Sequence, residues 1–577
     1  MADLYLESGK KKEAAAHYFK AIELYPSNEI YSSKKHQCYL IDFQLLSELS
    51  KKSPNIFLYE QARCYEYFGK IEEDLDRFFE ADKLYEKALG IFPKILNQRF
   101  FDIAPYYART LVHQASINDY VRQGIISHEA SCKKYEKAIK LYEKISKKDS
   151  QTHTPLHAEA YVRYGCYMGN SSAKTAKTKL IENSFKQAIL LYEKMEKTNP
   201  NAYSEELASV FMLLGLHLKE IHPMKERFDD MESNLIKAIE LLNGISGGNE
   251  QSHPNDRAVI YRALGELNQS KSALEQTISF YGKEIACLEA IQQGQKTEEN
   301  IDLAIAYFRL GKMLHELICR QDGEEQELKA DYSDIKMQRI AEAIRNLEDG
   351  IRFFPEIDES NAKEFGPYIA ESYLTMGKLY QKTGKKSLHQ ASASLAKATQ
   401  YYEYLTGLDR ESMAPRWAET LVLLAHLYES SGETIKVIDH YEKAKVLYED
   451  LSSKNPEEHL ALLGDCLCSM GRYCHHKLLN QVNQAEKWYK ASLDSYIRLE
   501  KHMLSKKNKG NPPMLINARR GAVEVFLEML DIDPRYRRSK TYKQPVHQML
   551  KELIAHSKKT KHVDQFSEYQ DIMKKIK

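Results

Sequence analysis

YVRYGCYM at residues 161–168 and SFKQAILLYEK at residues 184–194 carry the two patterns from which the fold can be read. In the second phrase a bulky residue, Phe185, stands three positions before Ala188. On a helix that spacing sets a large knob beside a hole, on a face where a neighbouring helix can come close. In the first phrase bulky Tyr164 directly precedes Gly165, and apolar Met168 follows. A glycine inside a helix costs about 1 kcal/mol relative to alanine, so its presence there needs a packing reason. Close contact with another helix supplies one.

Both patterns recur along the chain. The knob-and-alanine phrase returns as Tyr18/Ala21, Tyr85/Ala88, Tyr135/Ala138, Leu235/Ala238, Leu395/Ala398, Tyr441/Ala444 and Trp488/Ala491. The glycine phrase returns around Gly215, Gly265, Gly311, Gly377 and Gly471, with Ala425 in the same place in LVLLAHLY at 421–428. Ala115, Gly165, Gly215 and Gly265 are 50 residues apart, as are Ala88, Ala138, Ala188 and Ala238. Self-similarity at such a period predicts a helical repeat array, which gains core as it lengthens and so accommodates 577 residues without one oversized core.

Composition agrees. Glycine (25) and proline (16) are sparse, and tyrosine is common at 38 residues. No stretch approaches the roughly 20 apolar residues of a membrane span, and MADLYLESGKKKEAAAH at the start lacks an apolar signal core. Nine cysteines without a spaced framework suit a reducing compartment. The expectation is a cytoplasmic protein without structural disulfides. The net charge of +1 hides an asymmetry: residues 501–577 hold 18 Lys and Arg against 8 Asp and Glu, so the body is acidic and the tail basic.

The alternation resembles the tetratricopeptide repeat: a bulky residue, Leu-Gly, Tyr, then Ala, an aromatic, Ala and Pro. Ala2, Tyr5, Gly9, Ala14, Tyr18, Ala21 and Pro26 stand in that register, and the resemblance covers most of residues 1–500. The 50-residue units exceed the family's usual length of about 34, with the surplus in connections such as 167–179 and 246–256. Another polar insert lies at 320–334. The resemblance implies an all-α, right-handed α/α superhelix of about ten helix pairs over residues 1–504. A linker at 505–513 and a basic helical cap at 514–577 would follow. Met1 falls where the first helix should be more than half over, so the expectation is a truncated first repeat, either lacking a preceding segment or capped by a short helix, whose exposed apolar surface a partner or a second copy could cover.

CLCSMGRYCHH at 466–476 raises a metal site. Two ligands of one ion on a helix normally sit three or four residues apart, and no pair among Cys466, Cys468, Cys474, His475 and His476 has that spacing. Buried cysteines beside surface histidines are expected, with no metal and no other cofactor.

The resemblance further implies that the first helix of each pair lines a concave groove. Positions one and six before, and one and four after, the small residue would face it. Carried over, these include Arg262, Glu266, Phe308, Lys312, His315, Lys378, Gln381, His426, Arg472 and His475. Arginine and lysine there would grip carboxylates of a peptide, with aromatic neighbours adding apolar area. Members that bind chaperone tails use a Lys and an Asn four apart on one groove helix, and no helix here has that pair in register. GxxxxGK[ST], GxSxG, HExxH and GxGxxG are all absent, so no enzyme is expected.

In the tail, Arg535, Arg537, Arg538, Lys540 and Lys543 alternate with Tyr536 and Tyr542, a pattern able to hold phosphates and stack on bases. No nucleic-acid motif accompanies it, and a cap over the last repeat is the preferred reading. The expected function is a non-catalytic scaffold or adaptor binding a protein or peptide in the groove. The alternatives are a ligand-sensing regulator and attachment to nucleic acid or an anionic surface through the tail.

Overall fold

The computed structural model describes residues 2–24, 29–52, 57–121, 125–170, 174–221, 227–247, 249, 252–293, 300–324, 331–478, 481–505, 512–560 and 562–576. Among the described residues there are twenty-four α-helices and no strand. They fall into two compact units, Met1–Ala273 and Leu274–Lys577. Pro26 of the repeat register and most of the expected linker (506–511) lie outside the described residues.

In the first unit α1 (Ala2–Glu7) and α2 (Lys11–Leu24) form the opening pair, followed by α3 (Glu29–Lys52). Four antiparallel pairs come next: α4 (Leu58–Asp74) with α5 (Phe78–Ile95), α6 (Phe100–Val121) with α7 (Ile125–Ser146), α8 (Ser150–Gly169) with α9 (Lys174–Thr198), and α10 (Ser204–Ile221) with α11 (Phe228–Ile245). α12 (Pro254–Ser270) ends the unit. The second unit opens with α13 (Leu274–Gln292). Its pairs are α14 (Ile301–Glu324) with α15 (Asp331–Phe353), α16 (Ala362–Lys382) with α17 (Leu388–Leu408), α18 (Arg410–Ser431) with α19 (Thr434–Lys454), α20 (Pro456–His476) with α21 (Val482–Ser505), and α22 (Pro512–Ile532) with α23 (Lys540–Thr560). α24 (Val563–Ile576) packs on α23.

The recurring glycines meet bulky residues of the helix that follows; at Gly471 this is Tyr489 rather than the expected Trp488, which is half-buried, because the buried face of that helix runs one position later. A Cβ built on Gly165 would lie 2.9 Å from the Phe185 ring, one on Gly215 2.8 Å from Leu235, and one on Gly471 2.7 Å from the Tyr489 ring. The same holds for Gly311 with Leu347 and Gly377 with Leu395, at 2.6 and 2.5 Å. Gly69 receives Tyr85 in the same way, at 2.5 Å. Each of these six pairs is therefore locked by a bulky residue of its second helix seated on the bare backbone of its first. Phe185, Leu235, Leu347, Leu395, Tyr489 and Tyr85 are all buried.

Tight junctions preserve this geometry. Asp409 ends α17 and caps α18, its side chain accepting from the Ser412 N–H at 3.3 Å. Gly432 closes α18 at φ +77°, a left-handed conformation that glycine adopts without strain.

One apolar core runs from Ala414 on α18 to Ile576 on α24. The basic segment thus packs in the same core as the helices before it, through Val546, Met549, Leu550 and Leu553.

Burial has a titratable consequence in the first unit. Asp42 on α3 is fully buried, with Oδ1 unpartnered and Oδ2 accepting from Cys64 Sγ at 3.6 Å. Burial pushes its carboxyl up to about 7. The folded chain then holds a proton that the unfolded chain releases near 3.8, so stability falls as pH rises from about 4 to 7 and is level above. Asp42→Asn is expected to stabilise the unit at pH 8 by a few kcal/mol and to be nearly neutral at pH 4. Denaturant midpoints at the two pH values check this; equal shifts at both would contradict it.

Candidate functional site

The expected groove residues do not stand apart as open charges. They pair from one first helix to the next. In the second unit Lys312 on α14 meets Glu371 on α16 at 3.3 Å, and Lys378 on α16 meets Glu419 on α18 at 2.5 Å. Arg416 on α18 closes the ladder, 2.8 Å from Glu419 and 3.6 Å from Glu371. Tyr402, from second helix α17, donates to Glu371 at 2.7 Å. Burial opposes ionisation of Glu371, yet Lys312, Arg416 and Tyr402 hold its carboxyl below the ordinary range.

The arrangement returns elsewhere. Arg472 on α20 donates to Glu528 on α22 at 2.8 Å and lies 3.7 Å from Glu524. In the first unit Glu266 on α12 pairs with Lys219 on α10. Arg109 on α6 forks onto Glu66 on α4 at 2.6 and 3.0 Å. Neighbouring first helices run side by side, so long cations and carboxylates on their shared face reach one another.

The remaining positions are distributed differently. Phe308 is buried, its ring edge-on to Tyr368 and its face 5.4 Å below Lys312 Nζ. It contributes to the core rather than to an open surface. His315 is half-buried, 3.4 Å from Cys319 Sγ. Burial, then nearby Lys378 and Lys382, pulls its pKa down to about 4, so its ring is neutral at pH 7. His426 Nδ1 is 3.1 Å from the Tyr441 hydroxyl. Arg262 and Gln381 are half-buried on α12 and α16. His475 Nε2 lies 3.9 Å from Asp531.

Sequence reasoning missed Glu371, Arg416 and Glu419. Their signal was present: Glu371 stands six residues before Gly377 and Glu419 six before Ala425, while Lys312 and Lys378 directly follow Gly311 and Gly377. A cation one after the small residue in one unit faces a carboxylate six before it in the next.

In CLCSMGRYCHH, Cys466, Cys468 and Cys474 are buried as apolar residues. Burial pushes the thiols of Cys466 and Cys468 up to about 12, which removes them as thiolates. His475 and His476 lie at the end of α20 beside α22.

The basic residues after α22 divide in two. Arg535 is held by its own turn, Nε donating to Asp533 Oδ2 at 2.9 Å. Arg537, Arg538, Lys540 and Lys543 line an open depression of about 660 Å³ at the start of α23, together with Ser539, Gln544 and His547. The tyrosines expected to stack on bases face inward instead. Tyr536 and Tyr542 meet edge to face at 5.8 Å against the core, and the Tyr536 hydroxyl donates to Glu486.

No helix among the described residues is long and apolar enough to cross a membrane. Residues 1–28 match the tetratricopeptide repeat family model. Beyond that match, the described residues form an all-α array of successive antiparallel helix pairs. No curated protein matches the chain. Among solved structures it is similar to BtubC from P. vanneervenii, at 14% identity over 47% of this chain and 91% of that one, with a TM-score of 0.28. It is similar also to a Rap protein complexed with competence and sporulation factor, at 11% identity over 70% of this chain and 98% of that one, with a TM-score of 0.28. Human IFIT1, solved as a dimer with PPP-AAAA, shares 12% identity over 89% of this chain and 90% of that one, with a TM-score of 0.29.

Proposed function

We propose that this repeat chain is a non-catalytic interaction scaffold, and that a protein segment docks on the first-helix face of α14, α16 and α18. The observation that carries the reading is the ladder Lys312–Glu371–Arg416–Glu419–Lys378. Its side chains are between 15 and 46% exposed, so they are reachable while held in place. Charges already ordered by their neighbours lose little freedom when a partner arrives, which favours polar recognition. A partner with alternating charge fits such a face better than a purely acidic peptide, because each cation already has a carboxylate beside it.

A charge swap tests this. Lys378→Glu with Glu419→Lys keeps a pair between the same two helices and reverses its direction; Arg416→Gln is added because Arg416 lies 2.8 Å from position 419 and would meet a like charge there, and Lys312 keeps Glu371. Proteins captured from cognate lysate by the wild-type chain are expected to be lost by the swapped chain at an unchanged melting temperature. Retention of the whole partner set would sink the docking face and leave the ladder as inter-helix glue.

A second reading rests on Arg537, Arg538 and Lys540, which make no ion pair among the described residues. Their depression suits a phosphate-bearing or otherwise anionic surface. Arg537→Ala with Arg538→Ala is then expected to weaken binding to heparin-like polyanions and flatten its salt dependence. Unchanged retention would remove this reading.

A further inference from the structure

On α20 alone no two of Cys466, Cys468, Cys474, His475 and His476 are spaced for one metal ion. The fold brings a second helix to the same place. His475 and His476 occupy the last turn of α20, and Glu528 the last turns of α22. One ligand atom from each of the three lies within 4.8 Å of the others. The two imidazole centroids are 4.2 Å apart, and His476 Nε2 is 3.3 Å from Glu528 Oε2. Asp531, one helical turn beyond Glu528, has Oδ2 3.9 Å from His475 Nε2.

We propose that His475, His476 and Glu528, with Asp531 as a fourth donor, form a site for a divalent cation of the zinc, cobalt or nickel class. Two imidazoles and one or two carboxylates select that class over calcium or magnesium, which favour all-oxygen sets. Donor atoms around a tetrahedral zinc stand about 3.4 Å apart, given bonds near 2.1 Å. The spacing here, within 4.8 Å, exceeds that by up to about 1.4 Å. His476 and Asp531 are 49 and 70% exposed, so their side chains have room to close it.

Two features of the surroundings support the site. Arg472 Nε holds Glu528 Oε1 at 2.8 Å and Tyr489 donates to Oε2 at 3.2 Å, which fixes the carboxylate facing the histidines. Outer hydrogen bonds of this kind orient metal ligands. The site also lies at the C-terminal end of α20, where unpaired carbonyls favour positive charge. Arg472 opposes a cation by its charge, and its position on the far oxygen limits that opposition. Cys474, between Tyr473 and His475, is buried and takes no part.

A bound ion would clamp α20 to α22, so the test reads both binding and stability. The full chain without an affinity tag, stripped with a chelator, is titrated with Zn²⁺ and separately with Co²⁺. One ion per chain at this site is expected, with a raised melting temperature and a cobalt spectrum lacking thiolate charge transfer. His476→Gln, at an exposed position, and Glu528→Gln are each expected to weaken affinity about tenfold or more. Circular dichroism of the metal-free variants separates lost binding from lost folding; should Glu528→Gln unfold, His476→Gln carries the test. Absence of saturable binding, binding indifferent to a folded His476→Gln, or binding lost only on Cys319→Ser would overturn the proposal.

Discussion

Replacing Arg109 with alanine is expected to destabilise the first unit by about 3 kcal/mol. Its partner Glu66 is 4% exposed, and both carboxylate oxygens accept from the Arg109 guanidinium. Without the arginine a charged group remains inside with no cation beside it, and this penalty exceeds whatever the intact pair contributes. The figure sits at the low end for a buried pair because Arg109 is itself 40% exposed, so water reaches the gap. Arg109→Met combined with Glu66→Leu is expected to recover most of the loss, since no buried charge is then left. Chemical denaturation of the three variants distinguishes the cases. A double variant no better than Arg109→Ala would mean that the pair itself, rather than its disruption, carries the stability.

Gly377→Ala gives the second large effect, and its sign is the informative part. Alanine in place of glycine inside a helix ordinarily stabilises by up to about 1 kcal/mol. At position 377 the new methyl would lie 2.5 Å from Leu395 Cγ and 2.6 Å from its Cδ2, with Leu395 fully buried. The helices must move apart or Leu395 must leave its rotamer, at a cost of about 1–3 kcal/mol. A net loss of stability is therefore expected. Gly90→Ala on α5 makes the same chemical change with nothing within 4 Å, and a gain is expected there. Adding Leu395→Ala to Gly377→Ala should cost less than the two single effects summed, because the clash disappears with the knob. Equal shifts at positions 377 and 90, or strict additivity of the pair, would show that the glycine is not a socket.

These two cases also show how far the chain could be read without its structure. Gly377 was legible because a mid-helix glycine needs a reason and Leu395 stood at the knob position of the following helix. The first-helix face was legible too, through Lys312, Lys378 and Arg472. Their roles were not. A lysine on an exposed face looks the same in sequence whether it awaits a ligand or meets Glu371, because the difference lies in which helix stands opposite. Phe308 was misjudged for a related reason: Tyr368, from the next first helix, covers its edge and Lys312 covers its face. Tyr536 and Tyr542 follow suit, turned inward where Glu486 and the core receive them.

Local and periodic properties were decided by the sequence itself: helices throughout, their division into pairs, knobs such as Phe185, Leu235 and Leu395 with their glycine sockets, and a basic C-terminal segment. They depend on neighbours within a turn or on a regular repeat, and both are printed along the chain. Only the tertiary structure decided the pairing of charges and the company of the histidines. Glu528 stands 52 residues from His476 in sequence and 3.3 Å away in space. Contacts of that separation are created when one helix pair stacks on the next, and side-chain spacing on a single helix carries no information about them.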